Sequence, residues 1–425
     1  MDKKKFDTNC VHGTYKASNG GPQVLPIYQN TTYRYDNTDE VAAIFDLESD
    51  GHIYSRISNP TCTYLEEKMA LLENGTAAVS ASSGQSAILL AVLNITEAGD
   101  EIIVSSNIYG GTYNLFAVTL KKLGIKAIFV NPEAPEEDII SVANEKTKLI
   151  YSESLPNPSL RVLDIEKFAR ISKKLDIPLF VDNTLASPAL CNPLDFGAEV
   201  VIHSTTKYSD GHASCLGGMV IEAGRFNWAN GKFPGMVESD KSYHGVRFFK
   251  EFKEKAFTTR IRAVVLRDFG CTMAPMNAYL THQGLQTLPL RMKQHSENAL
   301  KLAEFLEQNP LVEWVKYPGL KSDEDYELAK KYLPKGQSGV LSFSVKGGLE
   351  AGKKVLNNLE LTSIAVHVGD IRTLALQPST TTHRQLSQEE QLEAGITPGL
   401  IRVSVGLESI DDIIKDFTNA LEVVK

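Results

Sequence analysis

Val200-Val201-Ile202-His203-Ser204-Thr205-Thr206-Lys207-Tyr208-Ser209-Asp210-Gly211-His212 opens as an apolar, strand-like run. It ends in three hydroxyl residues, a lysine and a turn-prone Ser-Asp-Gly. Desolvation at the mouth of a buried strand makes a lysine lose its proton more readily. The free amine can then form a Schiff base with an aldehyde. Taken alone, a lysine after a strand is more often a solvated loop residue.

Two neighbouring segments change that balance. Ile177-Pro178-Leu179-Phe180-Val181-Asp182-Asn183-Thr184 is a second buried-strand run, and it ends in a carboxylate. It lies one strand–connection–strand step before Lys207, and sites in such sheets lie outside the carboxyl ends of the strands. By itself Asp182 also fits an ordinary helix N-cap. The third segment, Ser82-Ser83-Gly84-Gln85-Ser86-Ala87, joins the apolar Ala77-Ala78-Val79-Ser80-Ala81 to the helix-like Ala87-Ile88-Leu89-Leu90-Ala91-Val92-Leu93. A strand, a small polar turn and a helix N-terminus together make a phosphate site, although a serine-capped helix looks the same. A lysine for an aldehyde, a carboxylate for a pyridine nitrogen and an anion cradle are what pyridoxal 5'-phosphate (PLP) requires.

Around these segments the chain alternates strand-like and helical stretches from about Thr61 to Gly224, which predicts a mostly parallel sheet with helices on both faces. The first sixty residues are rich in Asn, Thr, Tyr and Gly and read as an extended arm. The expected division is an arm over 1–60, a large cofactor domain over 61–285 and a small C-terminal α/β domain over 286–425. Residues 225–262 read as an irregular excursion near the site. A helical pattern from Ala278 to Gln308 is expected to kink or split at Pro289.

The 425 residues allow sizeable cores, with 42% hydrophobic and 23% charged residues. A net charge of −8 argues against a nucleic-acid or anionic-membrane partner. No apolar run is long enough for a transmembrane helix. The start, Met1-Asp2-Lys3-Lys4-Lys5-Phe6, lacks an apolar secretory core, so a cytoplasmic location is the expectation. Five widely spaced cysteines without a CxxC speak against a disulfide scaffold or a zinc site. No metal is expected. Cys215, close behind Lys207, is a minor candidate for touching the cofactor region.

Seven ordered stretches carry a resemblance that spans nearly the whole chain. They are Tyr54–Thr61, Ser82–Gln85, Tyr109–Tyr113, Glu153-Ser154-Leu155-Pro156-Asn157-Pro158, Val181–Thr184, Ser204–Tyr208 and Ile401–Glu408. In these the chain resembles the Cys/Met-metabolism (trans-sulfuration) PLP enzymes of fold type I. The resemblance implies that Lys207 carries the cofactor and then shuttles protons. It implies that Asp182 pairs with the ring nitrogen and Tyr109 stacks on the ring. The phosphate falls to Ser83, Gly84, Gln85, Ser204 and Thr206, with Tyr54 and Arg56 donated by a neighbouring subunit. Asn157 would bond the phenolic oxygen, Glu153 has a less certain role, and Arg402 would clamp the substrate α-carboxylate. An active-site-sharing dimer, commonly paired into a homotetramer, is implied as well.

Within the family, several further stretches resemble the O-acetylhomoserine sulfhydrylase branch. They include Gly231–Gly235, Ser242–Gly245, Leu266–Gly270, Gln283–Met292 and Gln377–Leu386. The implied reaction is γ-replacement on O-acetyl-L-homoserine by sulfide or methanethiol, giving homocysteine or methionine plus acetate. The alternatives are a methionine γ-lyase or a cystathionine γ-synthase or γ-lyase. The long insertion is expected to narrow the thiol channel. His367 stands where the branch usually has asparagine, and Gln286 where it usually has glutamate. His367 is assigned to substrate binding, with titration near neutrality expected.

Overall fold

In the computed structural model, described over residues 4–382, 384, 389, 391 and 395–425, the carboxyl ends of β4 (Thr147–Glu153), β5 (Leu179–Asp182) and β6 (Val200–His203) lie side by side. They belong to a seven-stranded sheet that also contains β1 (Ala77–Ala81), β2 (Glu101–Ser105), β3 (Lys126–Val130) and β7 (Gly218–Glu222). Its order is β1-β7-β6-β5-β4-β2-β3. The strands from β3 to β6 pair in parallel, while β7 runs antiparallel to both β6 and β1. The expected mostly parallel sheet is therefore present.

Every residue of β5 and β6 is buried, because strands covered on both faces need apolar side chains at nearly every position. Successive residues feed two cores. Leu179, Val181 and Val201 face one; Phe180, Val200 and Ile202 face the other.

A second, five-stranded sheet has the order β10-β11-β12-β9-β8. Its strands are β8 (Val312–Lys316), β9 (Val340–Val345), β10 (Ser363–Ile364), β11 (Leu374–Leu376) and β12 (Leu400–Ser404). Its core gathers Leu341, Phe343, Val403 and Phe417. The long helical pattern is split at Thr287 into Pro275–Gln286 and Leu288–Glu307, with Pro289 in the first turn of the second helix. Proline is tolerated there because that N–H has no intrahelical acceptor.

Two expectations are corrected. The arm over 1–60 is not extended throughout: it contains two short helices, α1 (Phe6–His12) and α2 (Thr38–Phe45), with the stretches 13–37 and 46–59 outside helices. Cys10 of α1 is fully buried in the main core, so the start of the chain is docked rather than extended. The excursion over 225–262 is divided: its later part lies by the Tyr54–Arg56 stretch, with Arg267 over the Tyr243 ring and Arg262 donating to the Ile57 carbonyl at 2.9 Å, while its first part packs at the far end of the sheet. Trp228 stacks on Phe257 at 5.1 Å, and Phe257 meets Phe180 edge-on. Asn230 donates to the Asp176 carbonyl at 2.9 Å, and Lys148 donates to that of Lys232 at 2.9 Å. Asp176 and Lys148 mark the amino ends of β5 and β4, the end of the sheet opposite Lys207. The segment also includes short helices at Pro234–Val237 and Ala256–Arg260. Its aromatic residues are drawn to the apolar sheet face, whichever end of the sheet offers it.

Candidate active site

The carboxyl ends of the parallel strands open into one cavity lined by Ser83, Gly84, Gln85, Tyr109, Asn157, Asp182, Ser204, Thr206, Lys207, His367 and Arg402. Most of the residues singled out from the sequence therefore converge. Tyr54 and Arg56 do not. They lie outside this cavity, with Arg56 over the Tyr54 ring and bonded to the Arg267 carbonyl. No residue of 225–262 lines the cavity, so the expected narrowing of a thiol channel by that insertion within its own chain is not found.

The lysine is held where burial matters. Burial first, and then the Arg402 guanidinium, bring its amine down to about 8. Its Nζ lies 3.3 Å from His367 Nδ1. Burial, reinforced by Lys207, pushes His367 down to about 4. The expected near-neutral titration of His367 is thus corrected: an imidazole beside a cation in a dry pocket stays neutral.

Asp182 ends β5 and takes the Thr184 N–H on Oδ1 at 2.9 Å, with the Tyr151 hydroxyl 3.4 Å from Oδ2. The nearest helix begins only at Ser187, so Asp182 closes a turn instead of capping a helix. Glu153 stands opposite it in the strand register and accepts the Tyr109 N–H at 2.8 Å. Burial pushes both carboxyls up, and for Glu153 the nearby Asp182 adds to the push. A cation placed against Asp182 would reverse its shift.

At the other end of the cavity, Ser83 caps α3 (Gly84–Leu93) by accepting the Ser86 N–H at 3.1 Å. The bland reading of Ser83 is therefore realised alongside the functional one. The first backbone N–H groups of α3, at Gly84 and Gln85, have no intrahelical acceptor. A Cβ at Gly84 would lie 2.6 Å from Ser204 Cβ, so only glycine lets the helix start seat against the end of β6. Likewise, a Cβ at Gly111 would strike the Tyr109 ring at 2.5 Å. The Thr206 hydroxyl donates to the Gly217 carbonyl at 3.2 Å, and Ser204 N–H donates to Thr184 Oγ1 at 2.8 Å. Thr184 is a site residue that the sequence reading passed over, although it stood in the quoted motif.

Arg402, in β12, is 4% exposed. Its Nη2 donates to the His367 carbonyl at 2.8 Å, its Nε has no acceptor, and no carboxylate pairs with it among the described residues. Asn157 Oδ1 and His367 Nε2 are likewise buried without partners. Asn157 precedes a cis peptide bond to Pro158. Cys215 does not line the cavity: it is buried beside Asp210 and Thr281, and burial raises its thiol to about 11. His383, Gln385 and Leu386, part of the C-terminal motif, lie outside the described residues.

The chain matches the family described as Cys/Met metabolism PLP-dependent enzyme over residues 7–422, and it belongs to that family. It is 48% identical to an O-acetyl-L-homoserine sulfhydrylase of Leptospira meyeri, across 98% of this chain and 97% of the relative. It is 44% identical to a homocysteine synthase of Schizosaccharomyces pombe, across 100% and 99% of the two chains. A crystal structure of a candidate O-acetylhomoserine (thiol)-lyase from Campylobacter jejuni superposes with a TM-score of 0.96 at 39% identity. That match covers 99% of this chain and 100% of the other, which carries a pyridoxyl-lysine phosphate. The architecture is that of a fold type I PLP enzyme.

Proposed function

We propose that this chain catalyses γ-replacement on O-acetyl-L-homoserine with sulfide or methanethiol, releasing acetate and forming homocysteine or methionine. The observation that carries the reading is Arg402: a buried guanidinium that meets no carboxylate among the described residues, beside the cavity that holds Lys207 and Asp182. A buried unpaired cation is unfavourable unless an anion arrives. The Leptospira meyeri relative is named for O-acetyl-L-homoserine, an amino acid whose α-carboxylate is such an anion.

The residues present fit PLP. The N-terminus of α3 with Ser204 and Thr206 suits a phosphate, and Asp182 suits a protonated pyridine nitrogen. Asn157 Oδ1, buried without a partner, is an open polar contact for the ring substituents. When bound, PLP supplies an electron sink conjugated to the substrate, which makes its Cα and Cβ protons acidic. Tyr109, next to Gly110-Gly111 in the cavity wall, would cover the ring face. Arg402 grips the α-carboxylate with charge-assisted hydrogen bonds and so fixes Cα before Lys207. The Lys207 amine, brought down to about 8, holds and returns protons at Cα and Cβ near neutral pH. Acetate leaves Cγ, and the thiolate sulfur forms its bond at the same carbon.

Tyr54 and Arg56, outside their own cavity, are the groups we assign to a neighbouring subunit's phosphate site. This makes the dimer the working unit, with a homotetramer as the assembly. Residues 61–285 are taken as the large domain and 286–425 as the small one, with the helix break at Thr287 just inside the small domain. All five cysteines are free thiols, which agrees with a reducing cytoplasm. Among the described residues, no helix is long and apolar enough to cross a membrane.

The test is a product assay on PLP-loaded protein given O-acetylhomoserine with and without sulfide. Homocysteine is expected only with sulfide. Comparable 2-oxobutyrate and ammonia without sulfide would replace this reading with a γ-lyase. Lys207→Ala should lower turnover by at least about a thousandfold, since it removes both the proton carrier and the cofactor anchor. It should also abolish borohydride-trapped cofactor.

A further inference from the structure

His367 does two separate things with two different parts of itself. Its backbone carbonyl anchors Arg402 Nη2 at 2.8 Å, and its ring Nδ1 lies 3.3 Å from Lys207 Nζ. The lysine can donate in either charge state. As an ammonium Lys207 can only donate, so in that state Nδ1 is the acceptor and the ring proton sits on Nε2.

The placement of the imidazole is built into the fold. Gly369, two residues on, has φ +81° and passes so close to Lys207 that a Cβ would lie 3.0 Å from the Lys207 carbonyl carbon. Gly369 N–H donates to Ser404 Oγ at 2.9 Å, and Ile371 N–H donates to the Gly211 carbonyl at 3.0 Å. The loop carrying His367 is thus clamped to the segment carrying Lys207. The charged groups facing the ring are Lys207, Arg402, Asp370 and Asp210.

We propose that His367 is the positioning residue for Lys207: its Nδ1 holds the amine by one N–H and leaves the amine lone pair directed at the substrate. This deepens the reading above, because it rests on Lys207 as the proton carrier. It assigns the side chain to the lysine and not to the substrate carboxylate, whose hold on the loop runs through the backbone. A protonated imidazole would lack the Nδ1 acceptor and repel an ammonium. Burial, which keeps the ring neutral, is therefore part of the device.

The geometry names its own control. Asparagine places Oδ1 the same number of bonds from Cβ as Nδ1, so His367→Asn keeps an acceptor in place. His367→Leu has nearly the same outline as asparagine and no acceptor. Two readouts are needed on the wild type and both variants. One is the rate at which apoprotein captures PLP at Lys207, followed by absorbance and borohydride trapping across pH. The other is kcat and KM for O-acetylhomoserine with sulfide.

In His367→Leu the capture midpoint should fall by about one pH unit, because a neutral acceptor favours the ammonium form. Its kcat should drop about 100-fold, as expected for a misplaced catalytic group, with KM changed by less than about threefold. His367→Asn should keep the midpoint and most of kcat. If His367→Leu does not fold, His367→Ala replaces it, and added imidazole should restore its kcat.

A raised KM with kcat preserved would overturn the proposal and return His367 to substrate binding. Equal losses in the Asn and Leu variants without a midpoint shift would reduce it to packing. If the wild type shows no turnover, the γ-replacement reading fails, while the capture midpoint still decides the Lys207–His367 contact.

Discussion

Glu73 and Arg402 are both ionisable side chains with almost no exposure, and the protein treats them in opposite ways. Glu73 accepts from Asn183 Nδ2 at 2.8 Å and Asn192 Nδ2 at 3.1 Å, and His203 Nε2 lies 2.6 Å away. Its demand is met entirely by protein. Among the described residues Arg402 has one bond, to a backbone carbonyl, and an orphaned Nε. Yet His203, which serves Glu73, directly precedes Ser204 in the segment that leads to Lys207. Proximity to the site does not separate the two ions; completeness of partners does. A buried polar group with a full set of bonds belongs to the fold, while one left short beside a cavity is waiting for a ligand.

The hardest blow to that contrast would come from Glu73→Leu. It strands three donors in a dry interior and should destabilise the protein by about 4 kcal/mol, measured by denaturant unfolding of the apoprotein. If Glu73→Leu instead left stability intact while KM rose, completeness of partners would be a poor guide. Arg402→Met probes the other half. KM for O-acetylhomoserine should rise about 100-fold, because a buried charge-assisted contact is lost. The unfolding midpoint of the substrate-free variant should stay level or rise, since an unpaired buried cation is gone. A destabilised Arg402→Met would mean that the arginine is structural.

Local chemistry made one half of the site legible in the sequence. A strand-like run ending in Asp182, another leading into Ser204–Lys207, and a Ser-Gly turn before a helix each carry their meaning within about ten residues. The parallel sheet followed from the same runs. Long-range contacts were not legible in this way. The Glu73–His203 contact joins residues 130 positions apart, and the Lys207–His367 contact joins residues 160 apart. Arg402 and His367 were known only through resemblance, because nothing in a strand's own pattern says which loop it will face. The missed helix α2 did have a signal, since Asn37 accepts the Glu40 N–H and caps it. The excursion after Arg225 was legible as irregular. Its end of the sheet was not, because aromatic residues report burial and not location.

Glu222 offers the finest test, because it falls between the two cases. Its carboxyl accepts from Thr258 N–H at 2.9 Å, from the Thr258 hydroxyl and from Phe257 N–H at 3.3 Å, but it pairs with no cation among the described residues. Burial wins over these bonds and pushes it up to about 7. In the unfolded chain it would titrate near ~4.3. The folded state therefore prefers the protonated form, so Glu222 stabilises fully below about pH 4.3, and that contribution is lost as pH rises through about 7. Glu222→Gln removes this dependence. Its stability relative to wild type should climb between about pH 4.3 and 7 and then level off, by roughly 1–3 kcal/mol. Glu222 pairs in register with Val200, at the start of β6 and far from Lys207, so KM should not move. A flat difference across that range would show that three hydrogen bonds alone keep Glu222 ionised, and the contrast would then turn on bond count and not on charge.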